Sequence, residues 1–151
     1  MYYLTNTLAS EMSKQPPAAP TPFAFRLDLK SGMPVYRQLI DQVTGGMAAG
    51  ALAAGDQLPT VRQVAVDLSI NPNTVARAYR ELEIRGILET QQGTGTFISR
   101  QKVKRDDAER QRQLAQLVAE FVARAGAAGF TVGNLLEQLR DDSNDAQSKR
   151  R

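Results

Sequence analysis

The sequence contains no cysteine, histidine or tryptophan. Without thiols or imidazoles it has no thiolate nucleophile, no imidazole base and no His/Cys metal site, so most catalytic chemistry is closed to it. No apolar run approaches the roughly 18 residues that cross a bilayer, and no basic region leads into an apolar stretch and cleavage site at the N-terminus. No membrane partner is therefore expected, and a cytoplasmic location is. A large excess of one charge is also lacking. The net charge is +3 and the pI about 9.4, but residues 34–100 hold six basic and six acidic groups. Residues 1–33 carry three and two, and residues 101–151 carry ten and eight. With no broad positive field, a nucleic-acid partner has to be argued from where individual arginines sit.

At 151 residues the chain has room for one small domain and an appendage. Pro16, Pro17, Pro20 and Pro22 interrupt any periodic pattern, so residues 1–24 are expected to form a mobile tail, with Met12 a second candidate start. Phe25, Leu27 and Leu29 alternate with charged residues and predict a short extended segment, Ser31-Gly32 a turn, and Pro34 the first turn of a helix. Val35, Leu39, Val43 and Met47 recur every fourth residue along one helical stripe, which Gly45-Gly46 weakens near its end. Gly50 and Gly55 bracket a loop.

Thr60 and Gln63 fit a capping box opening a second helix whose inner face is Val61, Val64, Ala65 and Leu68. After the break at Ser69-Ile70, Asn71-Pro72 reads as cap plus first helical residue of a third helix. That helix buries Val75, Ala78, Tyr79 and Leu82 and ends at Gly86. Residues 87–90 and 96–98 are strand candidates joined by Gln91-Gln92-Gly93-Thr94-Gly95, a hairpin loop. Helix resumes at Asp106, with Leu114, Leu117, Val118, Phe121, Val122 and Ala125 on one apolar face, and Gly126 to Gly129 breaks it. Thr131 caps a last helix, with Phe130 and Leu135 placed as a hydrophobic staple and Leu135, Leu136 and Leu139 apolar. Residues 141–151 are expected to be disordered.

The expected fold is mainly α with a small β-hairpin: a winged helix-turn-helix domain over 25–99 and a C-terminal two-helix dimerisation tail over 100–140. In this arrangement the second helix of the pair enters the major groove. Four blocks then occur in order: Gly55 to Gln63 (GDQLPTVRQ), Asn71 to Val75 (NPNTV), Leu82 to Glu89 (LEIRGILE) and Gly93 to Ile98 (GTGTFI). Together they resemble the GntR family of bacterial regulators over about residues 25–99, and the short tail resembles its YtrA subfamily, whose members are often encoded with membrane transporters.

The resemblance implies a transcriptional repressor that binds double-stranded DNA, with no cofactor. It assigns Arg62 a phosphate or base-edge contact aided by its helix N-terminus. Asn71, Asn73 and Thr74 lie at the end of the recognition helix that faces DNA, with Arg77 one turn along and Arg80 a weaker contact. Asn71 and Thr74 are equally explained as caps, and Tyr79 as core. Gln92, Gly93 and Thr94 match positions the family inserts toward the minor groove, where a hairpin tip is the plainer account. Pro72 and Ala76 stand where other members carry guanine-reading arginines, which shifts base readout to Arg77. The tail residues Leu114, Leu117, Val118, Phe121, Val122, Leu135, Leu136 and Leu139 are expected to pair two copies, so that a homodimer reads an inverted repeat. Two other classes remain. An enzyme has only Asp106-Asp107 and Asp141-Asp142 to use, with no phosphate loop or base beside them. A winged-helix protein-interaction module has the neutral domain charge in its favour. No effector can be read from the residues.

Overall fold

Local signals set most of the helix ends in the computed structural model, which describes residues 23–101 and 107–148. The described chain runs α1 (Val35–Ala48), β1 (Gln57–Leu58), α2 (Val61–Leu68), α3 (Pro72–Ile84), β2 (Leu88–Gln91), β3 (Gly95–Ile98), α4 (Asp107–Ala127) and α5 (Val132–Ser148). Pro34 sits just outside α1 as its N-cap. The capping box of α2 is complete: the Gln63 amide N–H donates to the Thr60 hydroxyl, and the Thr60 N–H donates to Gln63 Oε1 at 2.8 Å. Ser69 then turns the chain in the left-handed region at φ 54°, and the Ile70 N–H reaches back to the Ala65 carbonyl. Gly86 makes the same turn after α3, where the Ile87 N–H donates to Leu82 O at 2.9 Å and the Gly86 N–H to Glu83 O.

α1 does not stop at its glycines. It continues to Ala48, and Gly46 leaves room for the chain packed over it: a Cβ there would lie 3.2 Å from both Leu52 and Phe23 side-chain atoms. The buried face of α1 is Gln38, Leu39, Ile40 and Val43, so the expected stripe is right at its centre, whereas Met47 is exposed. Phe23 packs edge-on against Phe25 at 5.0 Å and touches the core, so the packed unit begins two residues before the expected boundary at 25. The segment through Asp28 joins no strand among the described residues; glutamine amides hold it instead. Gln38 Oε1 accepts from the Asp28 N–H at 2.9 Å while its Nε2 donates to the Asp28 and Met33 carbonyls, and Gln42 Oε1 accepts from the Arg26 N–H.

The expected hairpin is one part of a three-stranded antiparallel sheet of order β1-β3-β2. Leu58 pairs with Thr96, and Leu88 with Ile98, which turns Leu58, Leu88 and Ile98 into the core beneath the helices. There they meet Leu39, Ile40 and Val43 of α1, Val64 of α2, and Val75, Ala78 and Leu82 of α3. This single cluster, built entirely from residues 25–98, fixes α2 and α3 against α1 and the sheet.

α4 and α5 pack on each other. Thr131 caps α5 reciprocally with Asn134: the Asn134 N–H donates to the Thr131 hydroxyl, and the Thr131 N–H donates to Asn134 Oδ1. The expected disorder from 141 is corrected over 141–148, which form the last turns of α5. These residues are polar without being helix breakers, and Gln138 donates one turn ahead to Asp142 at 3.0 Å while Ala146 is buried. Residues 1–22, 102–106 and 149–151 lie outside the described residues, with Asp106 and all but the last two residues of the expected mobile tail, 1–24, among them; of those two, Phe23 is packed against the core. Among the described residues, no helix is long and apolar enough to cross a membrane.

Candidate nucleic-acid interface

The start of α3 is polar because its inner face has used the apolar residues. Val75, Ala78, Tyr79 and Leu82 are buried, which leaves Asn73, Arg77 and Arg80, at spacings of four and three, along the outer stripe. Asn71 Oδ1 accepts from the Asn73 N–H at 2.8 Å, with Pro72 supplying the first helical φ. Its capping role is thus occupied geometry, and its NH2 group remains exposed. Thr74 is half-buried and Ala76 exposed.

Arg62 lies in the first turn of α2, on the exposed side. Arg62, Arg77 and Arg80 form no salt bridge with a described residue, unlike Arg37, paired with Asp41 at 3.4 Å, and Arg85, paired with Glu81. Arg77 is nevertheless held. Its guanidinium carbon lies 3.9 Å from the centroid of the Tyr36 ring on α1. Tyr36 was not among the expected site residues, since its proximity to Arg77 depends on how α1 crosses α3 and leaves no mark on either segment's periodicity.

Gln92, Gly93 and Thr94 form the exposed tip between β2 and β3. Gly93 adopts φ 76°, and the Thr94 N–H closes the turn onto Gln91 O at 3.0 Å. A second residue not foreseen supports the tip: Gln57 of β1 donates through Nε2 to the Thr94 carbonyl at 3.1 Å. A shallow cleft separates the tip from Thr60 and Val61 at the start of α2. The tip and the α3 stripe are separate groups; the hairpin below the tip is joined to α3 by the Thr90 hydroxyl of β2, which donates to Glu83 and meets the Thr96 hydroxyl at 3.2 Å.

Tyr79 is buried, and burial lifts its phenol pKa well above the ordinary tyrosine range. Its hydroxyl donates to the Pro59 carbonyl at 2.6 Å, tying α3 to the turn that precedes α2. No cluster of three or more His, Cys, Asp or Glu suited to a metal occurs among the described residues. The arrangement offers guanidinium groups without a carboxylate partner among the described residues, with amides and hydroxyls, on a helix-turn-helix, which suits anionic, hydrogen-bonding partners.

The expected pairing residues of the tail are mostly open. Leu114, Leu117, Val118, Phe121, Leu136 and Leu139 are each about half exposed or more, while Val122 and Leu135 are half-buried.

The profile of the family described as bacterial regulatory proteins, gntR family, matches residues 35–98. The chain is 44% identical over 120 residues to the HTH-type transcriptional regulator Rv1152 of Mycobacterium tuberculosis, covering 80% of this chain and 94% of that one. It is 34% identical over 122 residues to the HTH-type transcriptional repressor YtrA of Bacillus subtilis, covering 81% and 94%. A crystal structure of a transcriptional antiterminator from Listeria monocytogenes EGD-e superposes with TM-score 0.62 at 26% identity, covering 83% and 94%.

Proposed function

The chain belongs to the GntR family of bacterial DNA-binding transcriptional regulators, and from that premise we propose that it is a YtrA-like repressor binding an inverted-repeat operator as a homodimer. The observation that carries the reading is the set of cations left uncompensated on one helix-turn-helix. Arg62, Arg77 and Arg80 have no carboxylate partner among the described residues, in a domain segment with as many acidic groups as basic ones. Those arginines, together with Asn71, Asn73 and Thr74 at the start of α3, are the DNA-contacting set. Gln92, Gly93 and Thr94 reach the adjacent minor groove. The exposed apolar face of α4 and α5 pairs two copies, placing two α3 helices about a two-fold axis with half-sites spaced by a turn of DNA. Repression is supported by the name of the B. subtilis relative, and control of an operon that includes transporter genes by the YtrA-like tail.

The test is binding of the purified chain to its own upstream region against a scrambled duplex at two salt concentrations, read by fluorescence anisotropy. A preference of about 1,000-fold or more for one inverted repeat, persisting at the higher salt, is expected of a specific regulator. Equal affinity for both duplexes, or none for either, overturns the reading in favour of a protein-interaction role, which the balanced charge of residues 34–100 would then explain.

A further inference from the structure

Resting on the reading that α3 meets DNA, we propose that Tyr36 is a positioning residue of that interface: its ring holds the Arg77 guanidinium in the pose that contacts the operator.

Tyr36 belongs to the second position of α1, and its ring is half-buried against the core cluster. It is therefore fixed by the same packing that fixes α3. Arg77 stands 3.9 Å over the centroid of that ring. An exposed arginine otherwise samples many rotamers, and ordering it on DNA binding costs affinity. A carboxylate partner would order it too, but would neutralise the charge and occupy its N–H groups. An aromatic face does neither. The ring attracts the flat face of the guanidinium through its quadrupole, leaving the charge uncompensated and the five N–H donors around the rim free for a phosphate or a base edge. No described carboxylate pairs with Arg77, so none of the described acidic groups competes with this arrangement. Pro72 and Ala76, earlier on α3, have no side-chain donor, which leaves Arg77 the first arginine of the helix. Of the two outward arginines of α3, Arg77 and Arg80, it is therefore the one nearer the helix N-terminus.

The experiment titrates the full chain against its own upstream operator and a scrambled duplex by anisotropy, with thermal melts of every variant. Arg77→Ala is expected to weaken operator binding by tenfold or more. Tyr36→Leu is expected to weaken it about three- to tenfold, and Tyr36→Phe less than about twofold, because the ring face is retained. Pentafluorophenylalanine at position 36, which keeps the shape but reverses the ring electrostatics, should bind as weakly as Tyr36→Leu. Tyr36→Leu combined with Arg77→Ala should be no weaker than Arg77→Ala alone. Additive losses in the double variant, or a pentafluoro ring that binds like wild type, overturn the positioning role while leaving Arg77 at the DNA. Unchanged affinity in Arg77→Ala removes Arg77 from the interface and the proposal with it, while the operator preference of the wild type still decides the functional reading separately.

Discussion

Tyr79 carries a structural duty on the buried face of α3. Its ring lies 6.4 Å from that of Phe25, and its hydroxyl donates to the Pro59 carbonyl. Burial holds its pKa above the usual value near 10. A phenol whose pKa is raised by folding contributes its full stability below the unfolded pKa and loses it as pH climbs above about 10, because the unfolded chain ionises first. Tyr79→Phe deletes the hydrogen bond to Pro59 and should cost about 1 kcal/mol at pH 7, a fall of several degrees in the thermal midpoint. The same variant should lose less stability than wild type between pH 9 and pH 11. Parallel loss in the two proteins over that range would show that other groups govern the alkaline transition.

Among the elements, α3 carries a cap at one end and, on the proposed reading, a DNA contact at the same place, and a single substitution separates them. Asn71→Asp keeps an oxygen acceptor for the Asn73 N–H and adds a negative charge at the positive end of the helix, so the thermal midpoint should hold or rise. The same charge faces phosphates if this end meets DNA, so operator affinity should drop by at least tenfold. Asn71→Ala should cost about 1 kcal/mol of stability through loss of the cap. Undiminished affinity in Asn71→Asp would leave Asn71 a cap and nothing more. The helix ends were legible because capping is local chemistry: Thr60 with Gln63, Asn71 with Pro72, and Gly86 each announce a backbone requirement within four residues. β1 was not legible, since two residues between Gly55 and Pro59 carry no alternation and become a strand only by pairing with β3. The left-handed turn at Ser69 lacked the glycine that marks its counterpart at Gly86. The same divide runs through the candidate site. The polar stripe of α3 follows from its apolar complement, whereas Tyr36 under Arg77 and Gln57 under Thr94 come from contacts between elements.

For the whole molecule, the core built from residues 25–98 and the open apolar face of α4 and α5 have different consequences for mutation. Leu117 and Phe121 are one turn apart on α4 and are 63% and 49% exposed, and neither belongs to the core cluster. Leu117→Asp with Phe121→Asp should therefore leave the folding of the winged-helix domain intact. At an interface between two copies the same change brings four carboxylates into a desolvated apolar seam, where each costs far more than its lost contact area. Sizing with light scattering should then give the single-chain mass of 16.5 kDa for the variant and twice that for wild type. Operator binding should weaken by about 100-fold or more, because a dimer holds its second half-site at a high effective concentration and a monomer does not. The thermal midpoint of the winged-helix domain should be close to the wild-type value at low protein concentration, where dimerisation contributes little. A variant that remains a dimer would place the interface elsewhere, and one that is monomeric yet binds the inverted repeat undiminished would separate operator recognition from pairing through the tail.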